Sequence, residues 1–593
     1  MRGDKMSLCD PEEVALKTFF LGPQAENASW VLDEVEMIFR HWFQWRRRLF
    51  PKDGVAISEK DQKEISYQEK QKQFRDLLHN LLNRYEKEVP KFSPRYIGHM
   101  VSETSLPALF GHMITLLHNP NNISGEVSKV GALLEKEAIA FLSEMLGFDV
   151  SLAQGHFTSG GTVANIEALW RARFRMDHWL ALGCYERSIG FSSRDLIEYA
   201  HRGWKDFKKV KDLLSPEDSE LRFFSFVANA PWRSVPEIEK VFGQDFKGPV
   251  VLVPNNKHYS WQKAVSLLGL GETSLWSVAL DPKGQLCIKD LQDKIKKALL
   301  QQRPVLMVVS VAGTTELGEI DSIDEVQDVL DSYKEKGIEI WHHVDGAYGG
   351  FFCSLLGDPY TEEVLQVKDQ KALKSISRTH SVTIDPHKLG YVPFSCGAII
   401  VHNEEDYETS SFSAPYVLQK NLNTWMRTLE GSRSATGAAA TWLTALSIGL
   451  GPHGYGRIIR RSIWSKMQLE EQMKKEIAEA YFVPGCTTNI LCFCIAFKGE
   501  SLSEVSRRSE YLYEQFPLSG PFYVSRTVLK FENYGELLKK FIQLWEAPID
   551  QDSLCVLRLV LMNPFFTSKE TQISFPEAFV HTLKELILKF SQK

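Results

Sequence analysis

The feature that most constrains this 593-residue chain is a short apolar run that ends in a lysine. The run Ser-Val-Thr-Ile at 381–384 is followed at once by Asp-Pro-His-Lys, so Lys388 comes just beyond it. Such a run predicts a buried strand that ends at the edge of a sheet. Because burying an ammonium group is costly, a lysine at this point needs a chemical role. The commonest such role is a Schiff base with a carbonyl cofactor.

Composition limits the class of protein. A hydrophobic fraction of 44% and a charged fraction of 24% are typical of a soluble globular chain, and the length allows two or more domains. The net charge of -6 and the lack of a basic block argue against a nucleic-acid partner. Nine cysteines without framework spacing favour reduced thiols and a cytoplasmic location. No apolar run is long enough to span a membrane, and no ligand spacing predicts a metal site.

Strand-like and helical segments alternate through the middle of the chain. The apolar runs lie at 250–253, 305–311, 338–344 and 397–401, and helical patterns cover 288–301 and 324–336. This alternation predicts an α/β domain over 94–430, with a mostly parallel sheet between layers of helices. In such sheets, ligands bind outside the carboxyl ends of the strands.

Three further regions do not show this alternation of strand and helix patterns. Residues 1–93 predict a helical segment, and its charged part over 58–91 carries an apolar stripe formed by Leu77, Leu78, Leu81, Leu82 and Tyr85. We expect this segment to pack on a partner subunit. Residues 171–246 carry no motif and predict a helical insertion. Residues 431–593 predict a small α+β domain, which begins with a helix over 435–450.

A glycine-rich turn predicts an anion site. Thr-Ser-Gly-Gly-Thr at 158–162 leads into a helical pattern, so Gly161 and Thr162 could offer backbone N–H groups to a phosphate. The alternative is an ordinary helix start after a glycine turn, and on this fragment alone it is favoured.

Two polar groups follow predicted strands. His258 comes after the run at 250–253 and could stack on a flat ring, although a hydrogen-bonded core histidine is equally consistent with the fragment. Thr315 follows the run at 305–311 and could contact a ring substituent, or simply belong to a polar loop.

A carboxylate completes the set. Asp345 ends the run at 338–344 and could pair with a protonated pyridine nitrogen, while Ala347 is small enough for a ring to lie flat against it. Asp345 could instead cap a turn, but the presence of Lys388 further along the chain weakens that alternative. Together these residues could hold a cofactor with a phosphate, a pyridine ring and an aldehyde.

These motifs, in this order, resemble those of the group II pyridoxal-phosphate-dependent amino acid decarboxylases. The matching segments are Thr-Ser-Gly-Gly-Thr, His-Tyr-Ser-Trp, Gly-Thr-Thr, Val-Asp-Gly-Ala-Tyr-Gly-Gly and Asp-Pro-His-Lys. Residues 20–27, 95–104 and 385–393 are also similar to the long bacterial tyrosine decarboxylases. The resemblance covers most of the chain except 171–246.

The resemblance implies a fold, a cofactor and an assembly. The fold would be that of the fold type I, pyridoxal-phosphate-dependent transferase-like enzymes, with a seven-stranded sheet. The cofactor would be pyridoxal 5'-phosphate, and the chain would form a homodimer with shared active sites. The implied cofactor contacts are Lys388 at the aldehyde, Asp345 at the ring nitrogen, His258 and Ala347 on the ring faces, Thr315 at the phenolic oxygen, and Gly161, Thr162 and His387 at the phosphate.

The resemblance also implies substrate contacts. Tyr416 would protonate the substrate carbon, Arg558 would bind the α-carboxylate, and His99 would lie near the pocket. Ser432 could reach the phosphate in the neighbouring subunit. Phe394 stands where the tyrosine enzymes usually carry tyrosine, so it becomes a candidate for substrate selectivity.

The implied activity is decarboxylation of an L-amino acid, with an aromatic one such as tyrosine as the first choice. One alternative is an acidic substrate, aspartate or glutamate. Another is a carbon–carbon lyase like the sphingosine-phosphate lyases, which share the pattern His-Lys-x-Gly-Tyr-x-Pro found at 387–393. A third is a catalytically silent regulatory homologue.

Overall fold

The computed structural model describes residues 11–410, 425–519 and 522–592 of the chain. Its N-terminal part is helical, as the sequence predicts. The helices there are α1 (Pro11–Lys17), α2 (Ala28–Leu49), α3 (Glu59–Lys63) and α4 (Ile65–Tyr85). The predicted amphipathic helix over 58–91 is thus two helices. Ser58 caps α3 in a reciprocal pair of hydrogen bonds with Asp61.

Helix α4 packs against little of its own chain. None of its residues is buried. The apolar stripe predicted from the sequence is therefore exposed in the single chain, and Leu77 and Leu82 each keep more than 60% of their accessible surface. Stripes of this size on soluble chains mark surfaces that bind another protein.

The large domain follows in alternating order. Its elements are α5 (Leu106–His118), α6 (Lys129–Met145), β1 (Gln154–Thr158), α7 (Gly161–Ser188), α8 (Leu196–Ala200), α9 (Phe207–Leu214), α10 (Asp218–Phe224), α11 (Pro231–Phe242), β2 (Val250–Pro254), α12 (Ser260–Leu267), β3 (Leu275–Val278), α13 (Ile288–Leu300), β4 (Val305–Val311), α14 (Ile323–Lys334), β5 (Trp341–Asp345), α15 (Thr361–Val364), α16 (Val367–Lys374), β6 (Ser381–Ile384), β7 (Gly397–Val401) and α17 (Glu404–Tyr407).

The seven strands form one sheet in the order β1-β7-β6-β5-β4-β2-β3. Strand β7 runs antiparallel to both of its neighbours, and the other six strands are parallel to one another. Every residue of β2, β4 and β5 is buried, as expected for a parallel sheet covered by helices on both faces. The predicted α/β class with a mostly parallel, seven-stranded sheet is confirmed.

The predicted strand over 338–344 begins later than expected, at Trp341. The backbone N–H of Ile338 bonds to Tyr333, where it completes the end of α14, and the N–H of Glu339 bonds to His201. These two residues therefore have no donor left for the sheet, although their side chains fit a strand pattern.

The stretch 171–246 is helical, but its start differs from the prediction. Residues up to Ser188 belong to α7, the long helix that begins at the glycine turn. The remainder holds α8 to α11, which pack with α7 in a core that is shared with one face of the sheet and includes Trp179, Tyr199 and Phe242. A helical insertion would therefore begin only after α7, and it stays a prediction.

The C-terminal part contains α18 (Thr436–Ile448), α19 (Tyr455–Glu476), β8 (Ala480–Phe482), β9 (Ile490–Ile495), α20 (Leu502–Ser519), β10 (Ser525–Lys530), α21 (Phe531–Phe541), β11 (Ser553–Val560) and α22 (Phe575–Ser591). Its four strands form an antiparallel sheet in the order β10-β11-β9-β8. Helix α18 packs on α5 of the large domain, so closely that a Cβ on Gly111 would lie 3.0 Å from a backbone oxygen of Ala439. Within the described ranges, no helix has the length and apolar character needed to cross a membrane.

Candidate active site

A cavity of about 330 Å³ opens at the carboxyl edge of the seven-stranded sheet. It lies where β1, β2, β4, β5 and β6 end, so loops that are distant in sequence meet there. The predicted site residues that line it are Gly161, Thr162, His258, Thr315, Asp345, Ala347, His387, Lys388 and Phe394. The structure therefore brings these nine residues together, while their individual roles stay predictions.

Lys388 lies beside a carboxylate to which the sequence analysis gave no role. Its Nζ is 3.1 Å from Oδ2 of Asp385, and Nε2 of His387 is 3.4 Å from the same oxygen. Asp385 is 1% exposed, and its Oδ1 has no hydrogen-bond partner among the described residues. An unpaired buried acceptor beside a lysine is costly unless a ligand or solvent completes it.

Asp345 is held from behind by two neutral donors. Its Oδ2 accepts hydrogen bonds from Nδ2 of Asn165 at 2.8 Å and from Nε1 of Trp261 at 3.3 Å. Asn165 is itself fixed by Ser260, to which it donates at 3.0 Å, and by His343, whose Nε2 is 3.2 Å from its oxygen. No lysine or arginine bonds this buried carboxylate within the described ranges, so it can pair with a cationic group in the cavity.

The glycine turn has the geometry of an anion site. Helix α7 starts at Gly161, and no side chain caps its first turn within the described chain. A Cβ on Gly161 would lie 2.8 Å from Oδ2 of Asp385 and 3.0 Å from Cβ of Ala347, so the close approach requires glycine here. Free N–H groups at the start of a long helix favour a phosphate.

The histidine after β2 is half-buried and borders the cavity. Burial lowers the pKa of His258, and the positive charge of Lys388 adds to this, while Asp345 and Asp385 oppose it. Its Nδ1 accepts a hydrogen bond from the backbone N–H of Ser260 at 3.3 Å. The ring therefore stays neutral more readily than a free histidine, which suits a group that stacks on an aromatic ring.

Phe394 lies at the cavity mouth and is 61% exposed. Its ring centroid is 4.3 Å from that of His387, and the two planes are tilted by 30°. A side chain in this position can contact whatever enters the cavity.

Three of the predicted residues that the structure describes do not line the cavity: Ser432, His99 and Arg558. Ser432 is exposed and accepts a hydrogen bond from Asn121 at 3.0 Å. His99 and Arg558 lie to one side, next to each other, since Arg558 contributes to lowering the pKa of His99 after burial. Tyr416 falls outside the described residues.

Arg558 is nonetheless connected to the cavity wall. It is 4% exposed, and its Nε donates to the carbonyl of Glu316 at 3.1 Å, directly after the lining residue Thr315. Its Nη1 donates to the carbonyl of Gly98 at 3.2 Å and to Oγ of Ser525 at 3.3 Å. Its buried Nη2 has no partner among the described residues, so it keeps N–H groups for an anionic ligand.

A fully buried ion pair lies on α7, the helix that begins at the glycine turn. Nη2 of Arg171 lies 3.3 Å from Oε2 of Glu167. Nη1 of Arg171 donates to the carbonyl of Tyr407 at 2.8 Å and to Oγ of Ser410 at 2.7 Å, and Nη2 also donates to the carbonyl of Arg427. One guanidinium of α7 thus holds the described chain on both sides of 411–424.

Three supporting residues went unassigned in the sequence analysis: Asn165, Trp261 and Asp385. A signal for Asn165 was available, because it lies one helical turn after Gly161 on the same face of α7. Trp261 and Asp385 stand inside motifs already singled out, but only the fold shows what their side chains contact.

Comparison with known proteins agrees with this geometry. Residues 212–498 match the family model described as the pyridoxal-dependent decarboxylase conserved domain. The chain is 28% identical to the L-tyrosine decarboxylase of Levilactobacillus brevis, with 94% of each chain covered. It is 27% identical to that of Enterococcus faecium, with 93% of this chain and 95% of the relative covered. Among solved structures, mouse CSAD in apo form shares the fold with a TM-score of 0.62 and 18% identity, over 95% of this chain and 98% of that one.

The cavity fits the cofactor of that family. Among the residues that the structure describes, it provides a lysine for an aldehyde, a buried carboxylate without a lysine or arginine partner for a pyridinium, and a helix start without a side-chain cap for a phosphate. The unpaired oxygen of Asp385 shows in addition that the polar groups are incomplete without a ligand. The matched domain and the full-length similarity to L-tyrosine decarboxylases therefore support a group II pyridoxal-phosphate-dependent decarboxylase, with pyridoxal 5'-phosphate as its cofactor.

Proposed function

We propose that this enzyme decarboxylates an aromatic L-amino acid to its amine and CO₂, with L-tyrosine as the first candidate. The observation that carries the proposal is the charge of the cavity. Lys388 is the only lysine or arginine in its described lining, and the nearby Arg558 keeps a free, buried Nη2. This arrangement suits a substrate with one carboxylate to bind and an uncharged side chain.

Bound pyridoxal 5'-phosphate supplies an aldehyde that condenses with amines and a ring that accepts the electrons of a broken bond. Lys388 offers the amine, and Asp385 at 3.1 Å is placed to take or return its proton. Asp345, with its two neutral donors, would hold a proton on the ring nitrogen. His258 and Ala347 border the cavity in the segments that follow β2 and β5, and they would confine the ring.

Arg558 would bind the substrate α-carboxylate. Three hydrogen bonds to Glu316, Gly98 and Ser525 fix its guanidinium, so little conformational freedom is lost on binding. Fixing the carboxylate there would orient the bond between it and the α-carbon, which is the bond that a decarboxylation breaks. A positioned charge of this kind lowers the barrier to the extent that it favours this geometry.

An aromatic side chain is favoured over an acidic one. A second carboxylate would need a second cation, and the described lining provides none beyond Lys388. Phe394, exposed at the mouth beside His387, offers a flat apolar surface instead. The overall similarity to L-tyrosine decarboxylases supports the same choice.

Tyr416 is our proposed proton donor to the substrate α-carbon, on the strength of the sequence resemblance. A Tyr416→Phe variant should keep its cofactor and lose amine production. Normal turnover by this variant would remove Tyr416 from the mechanism.

We also propose a cytoplasmic homodimer. The exposed stripe of α4 supports it, since its leucines have no partner within the described chain, and burying them would provide an apolar interface. Light scattering with size-exclusion chromatography should give twice the mass of one chain. A monomer that is fully active would contradict the proposal.

The experiment that tests the function is a substrate survey. The purified holoenzyme is offered each of the twenty amino acids and, separately, a phosphorylated amino alcohol. CO₂, the product amine and released aldehyde are measured, with Lys388→Ala as the inactive control. Tyramine from tyrosine is the expected product. Turnover of aspartate or glutamate alone, aldehyde release from a phosphorylated amino alcohol, or no turnover by a cofactor-loaded protein would each overturn the proposal in favour of one of the alternatives.

A further inference from the structure

A line of buried polar side chains leads through the sheet to the carboxylate of Asp345. Nε1 of Trp341 donates to Oγ of Ser381 at 2.9 Å, and that oxygen lies 2.8 Å from Nδ1 of His343. Nε2 of His343 lies 3.2 Å from Oδ1 of Asn165, whose Nδ2 donates to Asp345 at 2.8 Å. Because all five side chains are buried, their donors and acceptors have to be satisfied by neighbouring groups.

The Asp345 end of this line fixes the direction of the hydrogen bonds. An ionised carboxylate only accepts, so Asn165 presents its NH₂ group to Asp345 and uses it also on Oγ of Ser260 at 3.0 Å. The carbonyl oxygen of Asn165 is then left facing Nε2 of His343. Two lone pairs at this distance would repel each other, so Nε2 has to carry a proton.

The opposite end of the line selects the same tautomer. Because an indole N–H only donates, Oγ of Ser381 accepts from Trp341, and its own hydroxyl proton is available for Nδ1 of His343. Burial lowers the pKa of His343 to about 4, so the ring holds a single proton near neutral pH. With that proton on Nε2, Oγ1 of Thr383 at 3.2 Å is a second acceptor.

The other tautomer would change the charge of Asp345. With its proton on Nδ1, His343 would offer a lone pair at Nε2, and Asn165 would have to rotate its amide to donate to it. The carbonyl oxygen of Asn165 would then face Asp345, a contact that is stable only when the carboxyl group is protonated. A neutral Asp345 could no longer hold a proton on a pyridine nitrogen. The position of one histidine proton is therefore coupled to the charge of the carboxylate.

We propose that His343 is a positioning residue, which as the Nε2–H tautomer orients the amide of Asn165 and so keeps Asp345 ionised and the ring nitrogen of the cofactor protonated. His343 acts through other residues, since it does not belong to the described lining of the cavity. The inference rests on the proposed pairing of Asp345 with the ring nitrogen, and it does not depend on which amino acid is the substrate.

The test uses holoenzyme reconstituted with pyridoxal 5'-phosphate that carries ¹⁵N at the ring nitrogen. The resonance of this nitrogen lies upfield when it is protonated and moves downfield when it loses its proton. We expect the upfield resonance in the unmodified enzyme near neutral pH. His343→Leu removes the donor to Asn165, so the resonance should move downfield, and kcat should fall about three- to tenfold with KM within about twofold.

Two further variants separate positioning from packing. His343→Gln can place an amide N–H near the position of Nε2, so the resonance and kcat should return towards those of the unmodified enzyme. Ser381→Ala removes the donor to Nδ1 of His343 and should move the resonance downfield as well. This smaller change decides the question if His343→Leu does not hold the cofactor.

His342→Leu is the matched control. His342 is an equally buried histidine on the same strand, and its hydrogen bonds go to Gln327 and Ser310 instead. Adjacent strand residues point to opposite faces of a sheet, so His342 lies on the face away from Asn165. We expect this variant to lose stability in urea and to keep the ¹⁵N resonance of the unmodified enzyme.

Three results would overturn the inference. The first is a cofactor-loaded His343→Leu or Ser381→Ala enzyme whose resonance coincides with that of the unmodified protein. The second is an equal shift in His342→Leu, which would mean that the loss of any buried histidine has this effect. The third is an unprotonated nitrogen in the unmodified holoenzyme, which would refute the pairing with Asp345 itself, whatever the variants show.

Discussion

Asn165→Leu tests how the chain holds the carboxylate at the ring nitrogen. The substitution keeps the approximate volume and removes the shorter of the two side-chain hydrogen bonds to Asp345, at 2.8 Å. The 3.3 Å bond from Trp261 and the 3.4 Å bond from the backbone N–H of Ala347 remain. A hydrogen bond to a charged group contributes about 1.5–3 kcal/mol. If that contribution acts mainly in the transition state, kcat should fall roughly ten- to hundredfold.

The assay measures CO₂ release under saturating substrate, together with the absorbance of bound cofactor. Ser260→Ala is the matched control, because it removes the other hydrogen bond of the Asn165 amide and leaves the bond to Asp345. We expect the control to stay within about threefold of the unmodified enzyme. A cofactor-loaded Asn165→Leu enzyme with the same kcat as this control would refute the role of Asn165.

Other consequences follow for binding, stability and pH. Arg558→Lys should raise KM about ten- to hundredfold with the cofactor retained, because lysine cannot keep the anchored geometry of the guanidinium. The control is Arg526→Lys, on the neighbouring strand and partly exposed, which should change KM by no more than about twofold. Equal effects of the two substitutions on KM would contradict the role of Arg558. Arg171→Met should lower the free energy of unfolding in urea by about 3 kcal/mol, because it leaves Glu167 buried without its guanidinium, and a change below about 1 kcal/mol would count against the ion pair. Burial lowers the pKa of His201 from 6.5 to about 4. Between these two pH values, the unfolded chain therefore binds more protons than the folded one. The contribution of His201 to stability is present above pH 6.5 and is lost as the pH falls towards 4. For His201→Gln, the plot of unfolding free energy against pH should be shallower over this range by about 1.4 kcal/mol per pH unit, and parallel plots would refute the assignment.

The strands show what the sequence could predict about the fold. The runs over 305–311, 381–384 and 397–401 have the predicted bounds, because each is a buried, mostly apolar run that ends at polar or glycine-containing turns. The start of β5 was wrong by three residues, since hydrogen bonds to α14 and to His201 occupy the backbone before Trp341. The first partner belongs to the end of the preceding helix and the second is brought there by the tertiary fold, and hydrophobic periodicity reveals neither.

In the candidate site, too, the sequence predicts some features and not others. Residues at the carboxyl ends of parallel strands were expected to meet, and His258, Asp345 and Lys388 do line one cavity. The side chains that orient them were not foreseen, because their contacts join distant positions. Asn165 and Asp345 are 180 residues apart, and Arg558 and Glu316 are 242 apart.

The most direct test of the whole account is the position of the cofactor. The holoenzyme is reduced with borohydride, digested, and searched by mass for the peptide that carries the reduced pyridoxyl group. A single modified residue, Lys388, is expected, and no modification is expected in Lys388→Ala. A pyridoxyl group on any other lysine of the active protein, or activity that survives in Lys388→Ala, would contradict the account.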